Sequence, residues 1–381
     1  MLLKLPYIPQ SKILQQLQLH EQFFVGLCSK RARNLIKYFS RFKYDSSVIH
    51  VPSFCLQLQT TGDQGKHVAM WASCYYRPEN ERFYKANNNN WNRTMRFWYK
   101  EKKIKCKLSF DPEIGIPIFW CKDQYKSILP MALHSAICDV FSISPIIQVL
   151  LNLPKLSEMP YTKEVDNLIL GGGITDIDVY ESLMQMFTIK NCAYISPDTN
   201  YLSVNSKTLS VNHLYCSYTR WFTGEHLINF QGRTAVFRRV PSKISSEDLI
   251  NFLFDWQQGT NKKLEAIIIS LNKDNRMKFS RTEVFEKLNA KSWNQERRAG
   301  RFKYPDATYK TTFPSDILDC SQEMDIERKS DGLLATVVVH ETLFCFFVWH
   351  NRFPDTSTHQ PITRCNPYTR TEEFAVGNVH F

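Results

Sequence analysis

The sequence predicts a mixed chain, α+β or α/β, in which three short helices precede a strand-rich segment and an irregular strand-helix domain with leucine-rich-repeat-like spacing. Apolar residues recur every three or four positions near the N-terminus and every second position from about residue 46. After residue 160, candidate strands follow one another at intervals of roughly 18 to 30 residues. We therefore divide the chain into residues 1–44, 45–160 with a connecting helix, 161–350 and a tail, 351–381.

Composition places the chain among folded proteins. Of its 381 residues, 43% are hydrophobic and 22% charged, which excludes a largely disordered or collagen-like chain. Lys and Arg (48) exceed Asp and Glu (37), so the surface attracts phosphates or acidic protein patches. The 11 cysteines are an odd number and contain no Cys-x-x-Cys pair, which fits a reducing compartment rather than a disulfide framework or a four-ligand zinc site. We expect a cytoplasmic or nuclear protein, or both.

The first 44 residues contain three apolar sets at helical spacing. The sets are Ile13, Leu14 and Leu17, then Phe23, Phe24 and Leu27, then Leu35, Ile36 and Phe39. Three helices in about 40 residues enclose little core. Their apolar side chains are therefore expected to face either the following domain or another protein.

The next segment is predicted to form strands with one solvated face. Lys103, Lys105 and Lys107 alternate with apolar positions, and lysine also protects sheet edges. Residues 91–107 hold seven Lys or Arg and four aromatic rings, so a nucleic-acid-binding module is an alternative, although a weaker one. The same holds for a second basic group without a recognisable binding module, namely Arg297, Arg298, Arg301 and Lys303.

The clearest later elements are a helix, a buried strand and a hairpin. Ser245 or Ser246 caps a helix at residues 246–256, Gly259 stops it, and residues 264–271 form an apolar strand buried on both faces. Residues 334–339 and 343–349 resemble a membrane span in hydropathy, but the polar break between them predicts a hairpin. We expect no membrane association.

The N-terminal stretch resembles an F-box of the large nematode expansion. Leu5-Pro6 precedes the first helix, and Cys28-Ser29-Lys30-Arg31 follows at the spacing of that family. Pro9 and Gln10 stand where the family has apolar residues, and Gln18-Leu19 replaces an acidic-proline pair. Pro9 fits either within the first helical turn or before a shortened helix capped by Ser11.

The rest of the chain resembles the F-box-associated domain of the same family. Its helix at residues 129–141, its strand from Asn212 to Tyr215 and its run from Ser245 to Glu265 carry the match. In that run the matching positions are Glu247, Asp248, Leu249, Phe252, Leu253, Trp256, Gly259, Asn261, Leu264 and Glu265.

The resemblance implies the substrate-recognition subunit of a Skp-cullin-F-box ubiquitin ligase. In this family the N-terminal helices pack on a Skp-type adaptor, which connects to a cullin, while the C-terminal domain holds a target protein. The implied adaptor-binding residues are Leu5, Pro6, Ile8, Ile13, Leu14, Leu17 and Leu27. An interaction scaffold with a degenerate F-box is the alternative from another class.

Other motifs assign no chemistry. Gly171-Gly172-Gly173 lacks the residues of a phosphate loop and predicts a turn. His340, Cys345 and His350 stand five residues apart, so they alternate faces on extended strands and are expected to be core residues rather than metal ligands. No nucleophile motif assembles a catalytic site. We therefore expect a non-catalytic chain without a cofactor or a metal ion.

Overall fold

The chain forms two compact units whose main border lies between Val165 and Asp166. The computed structural model describes residues 6–17, 19–40, 46–50, 55–59, 68–71, 73–76, 93–110, 117–121, 125, 128–141, 144–145, 148–152, 163–171, 176–196, 198–241, 243–272, 278–304 and 317–355. The predicted tail lies outside these residues except for its first five positions.

The first unit begins with the three predicted helices, α1 (Tyr7–Gln16), α2 (Leu19–Cys28) and α3 (Lys30–Ser40). The predicted connecting helix is α4 (Leu129–Phe141). Gly26 lets α2 approach α4 closely, because a Cβ atom there would lie 2.5 Å from a methyl group of Val140. The three N-terminal helices and α4 therefore pack within one unit.

The segment predicted to be strand-rich forms strands that build two small sheets. The strands between α3 and α4 are β1 (Ser46–His50), β2 (Cys55–Gln59), β3 (Val68–Trp71), β4 (Ser73–Tyr76), β5 (Arg93–Tyr99), β6 (Lys102–Phe110) and β7 (Pro117–Cys121). After α4 come β8 (Ser144–Pro145) and β9 (Gln148–Asn152). The two sheets have the orders β3-β2-β1-β8 and β4-β7-β6-β5, so β9 belongs to neither.

One core joins the N-terminal helices to the second of these sheets. Leu14, Phe23 and Ile36 from α1, α2 and α3 belong to the same apolar cluster as Phe97 of β5 and Phe119 of β7. The ring of Phe23 stacks on that of Phe97 with 6.5 Å between centroids. Of the two predicted destinations for the N-terminal apolar side chains, the structure shows that many face their own chain.

The second unit is built on a mixed sheet. From β15 to β10, its strand order is β15-β18-β19-β20-β14-β13-β12-β11-β10. β11 to β14 pair in parallel and in chain order, whereas β20 pairs with β14 in the antiparallel sense. The strands are β10 (Glu164–Gly171), β11 (Thr188–Ile195), β12 (His213–Cys216), β13 (Thr234–Val240), β14 (Ala266–Leu271), β15 (Lys291–Ser292), β18 (Met324–Glu327), β19 (Leu334–His340) and β20 (Leu343–Val348).

Helices follow the strands of this sheet, and at least one of them packs on a face of it. They are α5 (Ile177–Met186), α6 (Gly224–Ile228), α7 (Ser246–Gln257) and α8 (Arg281–Leu288), with a 3₁₀ turn at Lys207–Ser210. The indole of Trp256 on α7 contacts the ring of Phe346 on β20, with 5.0 Å between centroids. β14 is buried on both faces, as its continuous apolar run predicts.

A small hairpin covers part of the opposite face. Its strands are β16 (Arg301–Lys303) and β17 (Ile317–Asp319). Phe302 stacks on Phe347 with 4.9 Å between ring centroids, and it contacts Trp349 edge-on at 5.1 Å. The sheet is therefore a buried middle layer over this region.

The strand-helix alternation is confirmed, but the leucine-rich-repeat-like description is not. A solenoid of that kind adds one parallel strand per repeat. Here the parallel series ends at β14, and the antiparallel strands β20, β19 and β18 extend the sheet. The predicted hairpin is β19–β20, and among the described residues no helix is long and apolar enough to cross a membrane.

Candidate functional site

Helix α1 has one buried face and one exposed apolar stripe. Leu14 is 0% exposed, and Leu17 packs against the same core. Pro6, Pro9 and Ile13 are exposed, and their spacing of three and four places them on the other side of the helix. We call these three residues the α1 stripe. Ile13 is 40% exposed, so the stripe offers apolar surface for contact.

Pro9 sits within the first turn of α1, which is one of the two predicted positions. Gln10 donates its backbone N–H to the carbonyl oxygen of Pro6 at 3.2 Å. The first N–H groups of a helix have no partner inside it, so a proline in this turn removes no helical hydrogen bond. The helix therefore begins before Pro9 and is not shortened to a start at Ser11.

Gln22 fixes the end of α1, a role that the sequence does not signal. Its Nε2 donates to the carbonyl oxygens of Leu14 and Leu17 at 3.1 and 3.0 Å. These carbonyl oxygens lie at the C-terminal end of α1, where the helix has no following turn to supply N–H donors. A buried glutamine beside an apolar run is therefore a local cap on α1, and it holds the α1 stripe in place.

The Cys28-Ser29-Lys30-Arg31 stretch mainly builds the junction between α2 and α3. Ser29 Oγ accepts a hydrogen bond from the backbone N–H of Ala32 at 3.1 Å, which caps α3. Arg33 and Lys37 of α3 then form ion pairs with the carboxylate of Asp139 on α4, both at 2.8 Å. This motif contributes structure rather than a reactive group.

The structure separates the predicted adaptor-binding residues into groups. Pro6 and Ile13 are exposed, whereas Leu17 and Leu27 are half-buried against the core. Leu14 is 0% exposed and belongs to the core of its own unit, so it offers no surface for contact in this structure. Leu5 and the side chain of Ile8 lie outside the described residues.

Most of the residues that identify the C-terminal motif are structural. Ser245 and Asp248 form a capping box, in which the Asp248 carboxylate accepts the Ser245 N–H at 2.7 Å and Ser245 Oγ accepts the Asp248 N–H at 3.2 Å. Asn261, at φ 34°, donates its side-chain amide to the carbonyl of Phe230 at 2.9 Å. Glu265 accepts from Arg233 Nε at 2.8 Å. The motif thus fastens the loops around α7.

A cavity of about 300 Å³ opens on the second unit between β17 and the strands β19 and β20. Its walls are mainly apolar, and the polar side chains in its lining include Asp319, Glu323 and His340. Glu323 Oε2 has no hydrogen-bond partner and lies 3.5 Å from the guanidinium of Arg281. Hydrogen bonds from Ser321 lower the pKa of Asp319, which favours its anionic form. This lining would suit an apolar group with a polar or cationic end.

The two cysteines of the cavity are unreactive. Burial raises the pKa of Cys320 to about 12, and it also raises the pKa of Cys345. Thiols with raised pKa values remain protonated at neutral pH and are poor nucleophiles. The cavity is therefore suited to binding rather than to covalent chemistry.

The His340, Cys345 and His350 set does not converge. His340 and Cys345 both line the cavity, whereas the Nε2 of His350 bonds to the carbonyl oxygen of Leu264 at 2.8 Å. Cys345 is a core residue as predicted, but the prediction of core positions for both histidines is wrong, because they lie exposed at strand ends. No cluster that suits a metal ion occurs among the residues that the structure describes.

The two basic stretches differ in exposure, because the first presents lysines to solvent and the second includes a buried arginine. Lys103 and Lys105 are exposed while Ile104, Cys106 and Leu108 are buried, which confirms the solvated face. The edge-protection explanation is wrong, because β6 lies between β5 and β7. Arg298 of the second stretch is 0% exposed and donates hydrogen bonds to the Asp325 carboxylate at 2.8–3.0 Å, so its role is structural.

Comparison with known proteins finds family matches in two regions of the chain. The model of the F-box domain matches residues 2–44, and that of the F-box associated family matches residues 199–269. These two regions are therefore similar to the domains of a nematode-type F-box protein. The F-box-associated match includes the β12 and α7 motifs but begins after α4, which belongs to the first unit.

Two nematode proteins are similar to this chain. An uncharacterized protein of Caenorhabditis elegans is 23% identical over 93% of this chain and 80% of its own length. The E3 ubiquitin-protein ligase hecw-1 of the same nematode is 24% identical over 33% of this chain but only 9% of its own. No solved structure matches. The pair of domains indicates a substrate-adaptor role in ubiquitin ligase complexes, and such proteins are generally non-catalytic.

Proposed function

We propose that this F-box protein binds a Skp-type adaptor through the α1 stripe and thereby joins a cullin-based ubiquitin ligase. The observation that carries the proposal is the exposure of Ile13 between Pro9 and the end of α1, on a helix fixed from behind by Leu14 and Gln22. Exposed apolar residues on a rigid helix are suited to act as anchors in a protein interface. The half-buried Leu17 and Leu27 pack against the core that holds this helix.

The second unit would hold the target protein. Its cavity beside β19 and β20 supplies a concave surface for one side chain of the target, and its identified motif supplies the scaffold. The mechanism is proximity, because tethering a target close to a loaded ubiquitin carrier raises the effective concentration of the reactants. This chain would supply no chemical group, and it would work in the cytoplasm or the nucleus.

A binding assay with purified Skp-type adaptor tests the docking surface. Ile13→Asp places a charge in the α1 stripe without touching the core, and we expect it to weaken adaptor binding at least tenfold, or by about 1.4 kcal/mol or more. Asn34→Asp, on an exposed position of α3, is the matched control and should bind as the wild type does. Leu14→Asp is unsuitable because it would disrupt the core.

Two outcomes would overturn the proposal. Unchanged binding by Ile13→Asp would exclude the α1 stripe as the docking surface. No binding by the wild-type chain would favour the alternative, an interaction scaffold with a degenerate F-box. For the target site, proteins that copurify with the wild type should be lost from Val338→Trp, which fills the cavity, while the adaptor is retained.

A further inference from the structure

The hairpin of β5 and β6 has one buried apolar face and one exposed basic face. Phe97, Ile104 and Cys106 point into the core of the first unit. On the other side, Arg96 and Trp98 of β5 and Lys103 and Lys105 of β6 are exposed. We call these four residues the basic face.

Like charges face each other directly across this hairpin. Arg96 pairs in register with Lys105, and Trp98 pairs with Lys103. Opposed like charges destabilise an antiparallel pair, whereas a carboxylate in place of one of them would stabilise it. No described carboxylate forms an ion pair with Arg96, Lys103 or Lys105. The repulsion would be relieved by an anionic ligand.

The aromatic residue of the basic face favours a protein ligand over a nucleic acid. Trp98 is 61% exposed, but the ammonium group of Lys103 lies 5.5 Å from the centroid of its ring. Binding of single strands uses successive aromatic rings on which bases stack. Trp98 is the one ring among the four residues of the basic face, and one side of it is already covered by a cation.

The position of β5 supplies a second recognition element. β5 is the last strand in the order β4-β7-β6-β5 of the described sheet. An edge strand presents backbone N–H and C=O groups, and an extended peptide pairs with such an edge as an added strand. Because side chains alternate with a period of two, acidic residues at every second position of that peptide would share the face of Arg96 and Lys105.

We propose that the basic face and the edge of β5 together bind an extended acidic segment of the target protein. Backbone pairing would give the segment its register, and its carboxylates would neutralise the opposed cations of β5 and β6. This inference rests on the proposed function, since it takes the occupant to be part of the recognised target. It places a second contact on the first unit, separate from the cavity of the second unit.

Fluorescence anisotropy with labelled peptides tests this inference on the full chain. The probe is an eight-residue peptide that alternates Glu and Val. Two comparison peptides replace Glu by Lys or every second Val by Pro, which removes backbone donors. We expect the Glu-Val peptide to bind, the other two to bind at least about tenfold more weakly, and affinity to fall as salt rises from about 50 to about 200 mM.

Charge-reversal variants locate the site. Arg96→Glu combined with Lys105→Glu should reduce affinity for the Glu-Val peptide by about tenfold or more. Lys291→Glu combined with Lys329→Glu makes the same change in net charge at exposed positions of the second unit and should have no effect. Circular dichroism and unchanged adaptor binding would show that both variants are folded.

The outcomes separate this inference from its rivals. Peptide binding that is insensitive to the Arg96 and Lys105 reversals would overturn it, as would no binding by the wild type. Tighter binding of an oligouridylate that the same variant abolishes would overturn it in favour of a nucleic-acid ligand. A wild-type chain that binds the Glu-Val peptide but not the adaptor would instead contradict the proposed docking function and leave the acidic-peptide site intact.

Discussion

Ile13 and Leu14 are sequence neighbours with opposite environments. Ile13 lies on the exposed stripe of α1, while Leu14 lies at the centre of the first unit's core. The sequence identifies both as apolar residues of a helix, but helical spacing is compatible with either of them facing inwards. Their environments are decided by distant partners such as Phe97 and Phe119, which no local pattern reveals. The sequence therefore does not separate the exposed apolar residues of α1 from the buried ones.

Arg298 in the second unit forms a buried ion pair with Asp325, unlike the arginines at the surface. The Arg298–Asp325 pair also receives a hydrogen bond from Thr336 Oγ1 at 2.9 Å, and the guanidinium lies 4.7 Å from the ring centroid of Trp349. Asp325→Ala leaves Arg298 buried without its counter-charge, so we expect a loss of about 3–5 kcal/mol in unfolding free energy. Chemical denaturation followed by tryptophan fluorescence measures it.

The neighbouring residue provides the control for that experiment. Arg297 forms an exposed ion pair with Glu327 at 2.6 Å. Arg297→Ala should therefore change the unfolding free energy by only about 0–1 kcal/mol. Equal losses from the two substitutions would show that the Arg298 network is no more important than a surface pair.

We expect His226 to make the second unit sensitive to acid. Burial lowers its pKa. Its Nε2 donates to the carbonyl of Leu202 at 2.9 Å, and its Nδ1 accepts the N–H of Thr223 at 3.3 Å. This pair of hydrogen bonds requires the neutral ring, because a protonated ring has no nitrogen that can accept. The unfolded chain, with the ordinary histidine pKa of about 6.5, binds more protons below that pH. Stability should therefore fall as pH drops from about 7.5 to about 5.5.

Thermal unfolding midpoints across this pH range test the effect. His226→Gln, which is always neutral, should show a smaller decrease than the wild type. Burial also lowers the pKa of His213, so a residual decrease is expected in the variant. An identical pH profile for the two proteins would show that His226 does not carry the effect.

At the scale of elements, α7 is where sequence and structure agree best. Its cap, acidic first turn, apolar stripe and terminating glycine all lie within fifteen residues, so local rules specify the helix. Ser245→Ala removes the capping oxygen and should cost about 1 kcal/mol of unfolding free energy. Asn251→Ala, at an exposed position within α7, should not destabilise the protein.

Urea denaturation of the two variants checks this prediction. A wild-type midpoint for Ser245→Ala would mean that Asp248 and the backbone stabilise the start of α7 without the serine. A loss from Asn251→Ala as large as that from Ser245→Ala would instead indicate that any change in α7 is harmful.

At the scale of the whole molecule, local patterns predict strands well but their partners poorly. The β19–β20 hairpin follows from two β-rich runs around one polar break, because the pairing is between sequence neighbours. The pairing of β20 with β14 joins residues far apart in the chain, and strand spacing alone suggested an irregular leucine-rich-repeat-like domain instead. The shared core of α1 to α3 and β5 to β7 is long-range in the same sense.

Hydrogen-deuterium exchange of the full chain, with and without purified Skp-type adaptor, tests the central claim most directly. If the chain docks through the α1 stripe, adaptor should slow exchange of backbone amides within Tyr7–Gln16 and leave those of β14 unchanged. Complex formation without protection of α1, or protection confined to the second unit, would contradict the account.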